Sequence, residues 1–100
     1  MIIRGTNSSI KIKFSKVDPS QITVAYLTIK QTGGETLEKD LTEAVVGSDY
    51  LEWILTQAET LDLFADRKVT IQCRYKVGDT AGATLKYTES VYDILKDGEI

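Results

Sequence analysis

The stretch "KVTIQCRYKV", Lys68 to Val77, decides the fold. Val69, Ile71, Cys73, Tyr75 and Val77 take every second position, with Thr70, Gln72, Arg74 and Lys76 between them. Side chains along an extended strand switch faces at each residue, so one side of this segment is apolar and the other polar. That is a strand with one face on a core and the other in water.

The same alternation recurs outward from this stretch. "SIKIKF" (9–14) sets Ile10, Ile12 and Phe14 against Lys11 and Lys13. After the turn "VDPS", where Pro19 presets φ and Asp18 suits the first turn position, "ITVAYLTIKQ" (22–31) runs as a longer, β-branched strand. Both of its faces carry apolar groups; Ala25, Leu27 and Ile29 are assigned to the core and Tyr26 to the outside. "TGGE" (32–35) predicts a hairpin into "TLEKDL" (36–41), because its glycines reach positive φ without steric cost. A looser stretch, "TEAVVGSD", leads to "YLEWIL" (50–55), with Leu51, Trp53 and Leu55 facing in. Downstream, "GDTAG" makes a turn and "TLKYTESVYDI" (84–94) returns as the last long strand. Glu89 falls in the register of Tyr87 and Val91 and is read as lying at a strand edge.

One segment breaks the pattern. In "ILTQAETLDLF" (54–64), Thr56 followed three residues later by Glu59 forms a capping box, in which each residue's side chain accepts from the other's backbone N–H. The stretch Gln57 to Phe64 would make about two helical turns, too short to stand alone in water. It is expected to cross one end of the sheets, with Leu61 and Phe64 plugging the core. No alternation of strands with long helices appears, so a parallel sheet is not expected. The prediction is an all-β protein: an Ig-like antiparallel β-sandwich of six or seven strands, a single domain over 1–100, with one short crossover helix near residues 57–64.

The residue inventory argues against most catalysis. The chain has no histidine, which removes the commonest general base and the commonest zinc ligand together. Its single cysteine, Cys73, lies in the apolar register of a strand, where a thiol acts as a small hydrophobe. No calcium loop or phosphate-cradling glycine loop is present, so no cofactor or metal is expected and the chain is not expected to be an enzyme. A net charge of −3 disfavours duplex nucleic acid as a partner. No apolar run reaches the length of a membrane span or a signal-peptide core, so assembly in the cytoplasm is expected. Charge is unevenly distributed. Arg4, Lys11, Lys13 and Lys16 open the chain without an acid among them, whereas Glu35 to Asp66 holds nine acids against Lys39 alone.

In order and spacing, "MIIRGTNSSIKIKF", "AYLTIKQTGG", "LTQAETLDLF", "VTIQCRY" and "DILKDGEI" resemble a family of β-rich proteins of approximately 100 residues. These are encoded near tail and baseplate genes in phages and prophages of Gram-positive bacteria, especially Firmicutes. The likeness spans essentially the whole chain; the family pattern "RGTTP" is here "RGTNS", and a usual hydrophobic position in the last strand holds Glu89. The resemblance implies a structural or accessory component of a phage tail or baseplate. Its partners would be tail or baseplate proteins, or further copies of itself, with no nucleic acid or membrane. It would reside in the host cytoplasm during assembly and then in the virion tail. Arg4, Lys11, Lys13 and Tyr26 are the candidate protein-interaction surface. The alternative is a carbohydrate-binding module that recognises a host cell-wall polymer through surface tyrosines, Tyr26, Tyr50, Tyr87 and Tyr92.

Overall fold

The computed structural model describes all 100 residues. Its strands are β1 (Ile2–Ile3), β2 (Ser9–Lys13), β3 (Ile22–Lys30), β4 (Leu37–Asp40), β5 (Ala44–Val46), β6 (Tyr50–Ile54), β7 (Lys68–Val77), β8 (Thr80–Ala83) and β9 (Tyr87–Tyr92). The one α-helix, α1, is Gln57–Leu61. The larger sheet has the order β1-β9-β7-β3-β4, with β8 also paired to β7, and the smaller has β2-β6-β5. All pairings are antiparallel except β1 with β9.

This is the expected sandwich, and its strand order is that of an immunoglobulin domain. Across the smaller sheet β2, β6 and β5 take the B, E and D places, while β3, β4, β7 and β8–β9 of the larger take C, C′, F and G. The inner faces carry the predicted alternation. Leu27, Ile29, Leu51, Trp53, Leu55, Val69, Ile71 and Cys73 are all at most 1% exposed.

Nine strands stand where the alternation shows six or seven. β8 forms largely within "GDTAG", read as a turn, and β9 takes only part of the strand expected over 84–94; Arg74 pairs with Ala83 but Ile71 with Tyr87, so the register slips by one residue in between. Thr84 covers the slip. Its N–H donates to the Cys73 carbonyl (2.9 Å), and its hydroxyl accepts from the Cys73 N–H (3.0 Å) in place of a ladder carbonyl. β5 forms within the stretch read as a loose connection. A 3-10 turn at Leu41–Glu43, capped by Asp40, delivers Ala44–Val46 to the edge of β6. β1 is two residues long and lies on β9, next to Glu89.

The crossover helix is present with its capping box intact, but it stops at Leu61. The Leu63 N–H turns back to the Thr60 carbonyl, and this rotates the chain out of helical register. As a result Thr60 and Leu63 are buried, Leu61 is half-buried and Phe64 is 40% exposed, beneath the Arg67 guanidinium at 4.8 Å from its ring. The core is therefore closed by Thr60 and Leu63, not by Leu61 and Phe64.

Candidate protein-interaction site

The four residues proposed from sequence do not form one surface. Arg4 leaves the end of β1 and turns inward. Its Nε and Nη2 donate to the carbonyls of Leu63 (3.1 Å) and Leu61 (3.2 Å), and Nη1 pairs with Asp93 (2.6 Å). With only 17% of its side chain exposed, Arg4 fastens the end of α1 rather than meeting a partner. Lys11 and Lys13 do point outward on β2, as the alternation requires. Lys11 sits across from Glu52 in the sheet register and places its ammonium 4.3 Å from the Tyr50 ring centre. The basic opening of the chain and part of its acidic middle thus lie on adjacent strands of one sheet. Beyond β2 no strand follows, so its outer edge is unpaired over Ser9–Lys13.

Tyr26 belongs to the other sheet. It is 46% exposed on the outer face of β3, between Asp40 of β4 and Arg74 of β7 in the cross-strand register. Val24, 39% exposed, lies beside it on the same face. The remaining tyrosines diverge. Tyr50 lies under Lys11 on the opposite sheet, and Tyr87 takes the inward register, where burial and then the Glu89 charge push its hydroxyl up to about 12. Tyr92 shares the larger sheet with Tyr26 but sits past the Lys68 end of β7; Lys68 is itself six residues from Arg74, so Tyr92 is more than about 20 Å from Tyr26 along the strands. No stacking platform joins them.

The most connected polar cluster was not singled out from sequence. Lys39 takes the inward register of β4 opposite Leu27 and is 8% exposed. Its Nζ lies 2.9 Å from Glu59 Oε1 and 3.9 Å from Glu43 Oε1. Both glutamates are the third residues of capping boxes: Glu59 accepts from the Thr56 N–H and Glu43 from the Asp40 N–H. Burial pushes the Glu59 carboxyl upward, but the Thr56 N–H and the Lys39 ammonium outweigh it and hold it below the ordinary glutamate range. Beside them the Trp53 indole N–H, from the smaller sheet, donates to the Asp40 carbonyl of the larger (2.9 Å). Two signals were available in the sequence: a lysine at an inward position of an edge strand, and a second capping box, Asp40 to Glu43, of the same form as Thr56 to Glu59. With the Glu43 and Glu59 carboxylates both committed to a cap and to one lysine, this arrangement holds structure together and has no acid–base pair free to work on a substrate.

Next to this cluster an open groove of ≈ 540 Å³ runs between the β3–β4 loop and the end of α1, lined by Gly33, Gly34, Leu37, Glu59 and Phe64 among others. Gly33, at φ 80°, supplies the left-handed turn of that loop. Gln31 fixes the far wall. Its amide oxygen accepts from the Phe64 N–H (2.7 Å) and its amide nitrogen donates to the Phe64 carbonyl (2.9 Å). The Cys73 thiol is pushed up to about 11 by burial, which leaves it protonated and unreactive at neutral pH. No three His, Cys, Asp or Glu side chains gather closely enough to hold a metal ion, and no helix is long and apolar enough to cross a membrane.

Comparison with known proteins returns no matching family model, no matching curated protein and no matching solved structure.

Proposed function

We propose that the protein is a structural or accessory component of a phage or prophage tail or baseplate, acting through protein–protein assembly and not through catalysis. The observation that carries this reading is the exposed outer face of the larger sheet, where Tyr26 and Val24 stand in water between charged flanks. Aromatic and aliphatic side chains at the centre of a polar-rimmed surface are what protein interfaces are built around. The unpaired β2 edge offers a second surface, one that adds a partner strand through main-chain hydrogen bonds. The family likeness of the sequence supports the tail and baseplate setting, and the absence of histidine supports a non-catalytic role. The scattering of the tyrosines over both sheets offers nothing to the carbohydrate-binding alternative.

The test is mass spectrometry and immunogold labelling of particles purified from an induced host that carries the gene. Peptides of this chain at fixed stoichiometry with the tail proteins, and gold at the tail, are expected. Absence from both finished particles and tail assembly intermediates would overturn the reading.

A further inference from the structure

The outer face of the larger sheet carries its charges in an order that selects one kind of partner. Across the sheet, Tyr26 pairs with Asp40 on one side and with Arg74 on the other. One step along, Thr28 pairs with Glu38 on the first side and Gln72 on the second, and in the other direction Val24 pairs with Lys76. The β4 flank is therefore acidic, the β7 flank basic, and the β3 centre apolar and aromatic. All four charged residues are exposed, and none of them forms an ion pair within the chain. The outer face of the smaller sheet differs, since Lys11 there has Glu52 opposite it and Tyr50 beneath it.

We propose that this face docks against the same face of a second copy, with a two-fold axis running along β3 through Tyr26. This deepens the assembly reading above by naming a partner, though it can be tested on the isolated chain. A two-fold axis in that direction reverses the order of strands across the interface, so β4 of one copy lies over β7 of the other. Asp40 then faces Arg74 of the second copy, and Arg74 faces Asp40 of the second copy. Tyr26 meets its own symmetry mate at the centre. Adjacent strands lie about 4.8 Å apart, so both ion pairs form about 5 Å to either side of the axis, where the packed tyrosines limit the access of water. The strands of the two copies run in the same direction, which is compatible with the aligned packing of stacked sheets. A two-fold axis at right angles to β3 would place β4 over β4, and so acid over acid. An unrelated partner has no reason to match this pattern, whereas a second copy matches it by symmetry. The face spans only four or so strands, so the dimer belongs to the small-interface class and dissociates on dilution.

Sedimentation velocity across protein concentration, at low and high salt, tests the proposal. The wild-type chain is expected to pass from monomer to dimer as concentration rises, with the dimer weakened by salt. Arg74→Asp sets like charges together twice and is expected to weaken the dimer at least about tenfold. Asp40→Lys does the same from the other flank; Asp40→Asn, which keeps a side chain able to cap the 3-10 turn, separates loss of charge from loss of the cap. An equimolar mixture of the Arg74→Asp and Asp40→Lys variants restores opposite charges at both positions and is expected to recover a heterodimer that neither variant forms alone. Circular dichroism confirms that each variant is folded. A wild-type chain that stays monomeric at every concentration, a dimer indifferent to Arg74→Asp, or a mixture that fails to recover would each overturn the proposal. A monomer found nonetheless at fixed stoichiometry in purified tails would overturn it while leaving the assembly reading intact.

Discussion

Replacing Lys39 with methionine keeps the aliphatic stem on the inner face of β4 and deletes the ammonium that Glu43 and Glu59 share. Severing a fully buried ion pair costs about 3–5 kcal/mol, whereas an exposed pair is worth under about 1 kcal/mol. Lys39 keeps only 9% of its side chain in water, but Glu59 keeps 24% and Glu43 49%, so the abandoned carboxylates can recruit solvent. Glu59 also retains the Thr56 N–H at 2.8 Å. The expected loss therefore lies between the two limits, at about 1–2 kcal/mol near neutral pH. In a chain of this size each kcal/mol lowers Tm by about 4–8 °C. Urea unfolding should show a lower midpoint with an unchanged slope. The loss should also depend on pH. Because the folded Glu59 carboxyl is held below its ordinary value of 4.5, its contribution is present above that value and disappears as pH falls through the folded one. The gap between wild type and Lys39→Met should thus close in acid. In a Glu59→Gln background, where the cap acceptor survives but the charge does not, Lys39→Met should cost less than in the wild type. A Lys39→Met chain as stable as wild type at pH 7, or a deficit unaltered by acid, would refute the assignment of Lys39 as the tie between the two caps.

Gly82 lies against the Tyr75 ring, and a Cβ there would stand 2.7 Å from Cζ while Phe14 blocks the ring from swinging away at a centroid distance of 5.2 Å. Gly82→Ala should therefore cost about 1–3 kcal/mol in thermal or urea unfolding, and a neutral result would mean that β8 moves freely. Gln31→Leu should cost about 1–3 kcal/mol and speed hydrogen exchange at the Phe64 amide, since both backbone groups of Phe64 lose their partner; unchanged exchange would show that water already serves that amide. At pH 8 the Cys73 thiol should label with iodoacetamide far more slowly in the folded chain than in urea, and equal rates would contradict its burial. Since its folded value is about 11 against an ordinary 9.0, stability should be intact below pH 9 and fall as pH rises towards 11.

What could be read from sequence was whatever a strand's period of two records. The inward sets of β2, β3, β6 and β7 are written in the alternation of "SIKIKF", "AYLTI", "YLEWIL" and "KVTIQCRYKV", because burial on one face constrains every second residue. β1 and β5, of two and three residues, are too short to hold a period; they become strands because β9 and β6 offer edges to them. The slip between β8 and β9 depends on one threonine hydroxyl serving as an acceptor, which no hydrophobic pattern records. Phe64 was misplaced for a different reason. Helical spacing puts it on the face of Leu61, but the helix ends first. The Thr60 carbonyl that would have extended it instead takes the Leu63 N–H in a tighter turn. Arg4 looked like part of a basic surface because charge in a sequence carries no direction. Two of its partners are carbonyls at a helix end some sixty residues away, and the other two are the Asp93 and Asp97 carboxylates.

The crossover from β6 to β7 passes from one sheet to the other in a sandwich whose F-strand cysteine has no disulfide partner. It is held by polar bonds to residues of the larger sheet and of the segment after β1. Arg4 takes the carbonyls of Leu61 and Leu63, Thr60 donates to Thr6 (2.9 Å), Gln31 holds both backbone groups of Phe64, and Lys39 holds Glu59. Each bond ends on a carbonyl, N–H or carboxylate of the crossover or of the segment after β1, and no buried side-chain polar atom in the chain lacks a partner. Being directional, these bonds fix the orientation of the segment more tightly than a buried leucine or phenylalanine would, since dispersion tolerates sliding. The helix that interrupts the sheets therefore acts as a pinned closure at one end of the sandwich. Its Gln57, Glu59 and Thr60 side chains are all bonded within the fold. Tyr26 and Arg74 stand apart from the helix on the outer face of the larger sheet, and Lys11 and Lys13 on the outer face of β2.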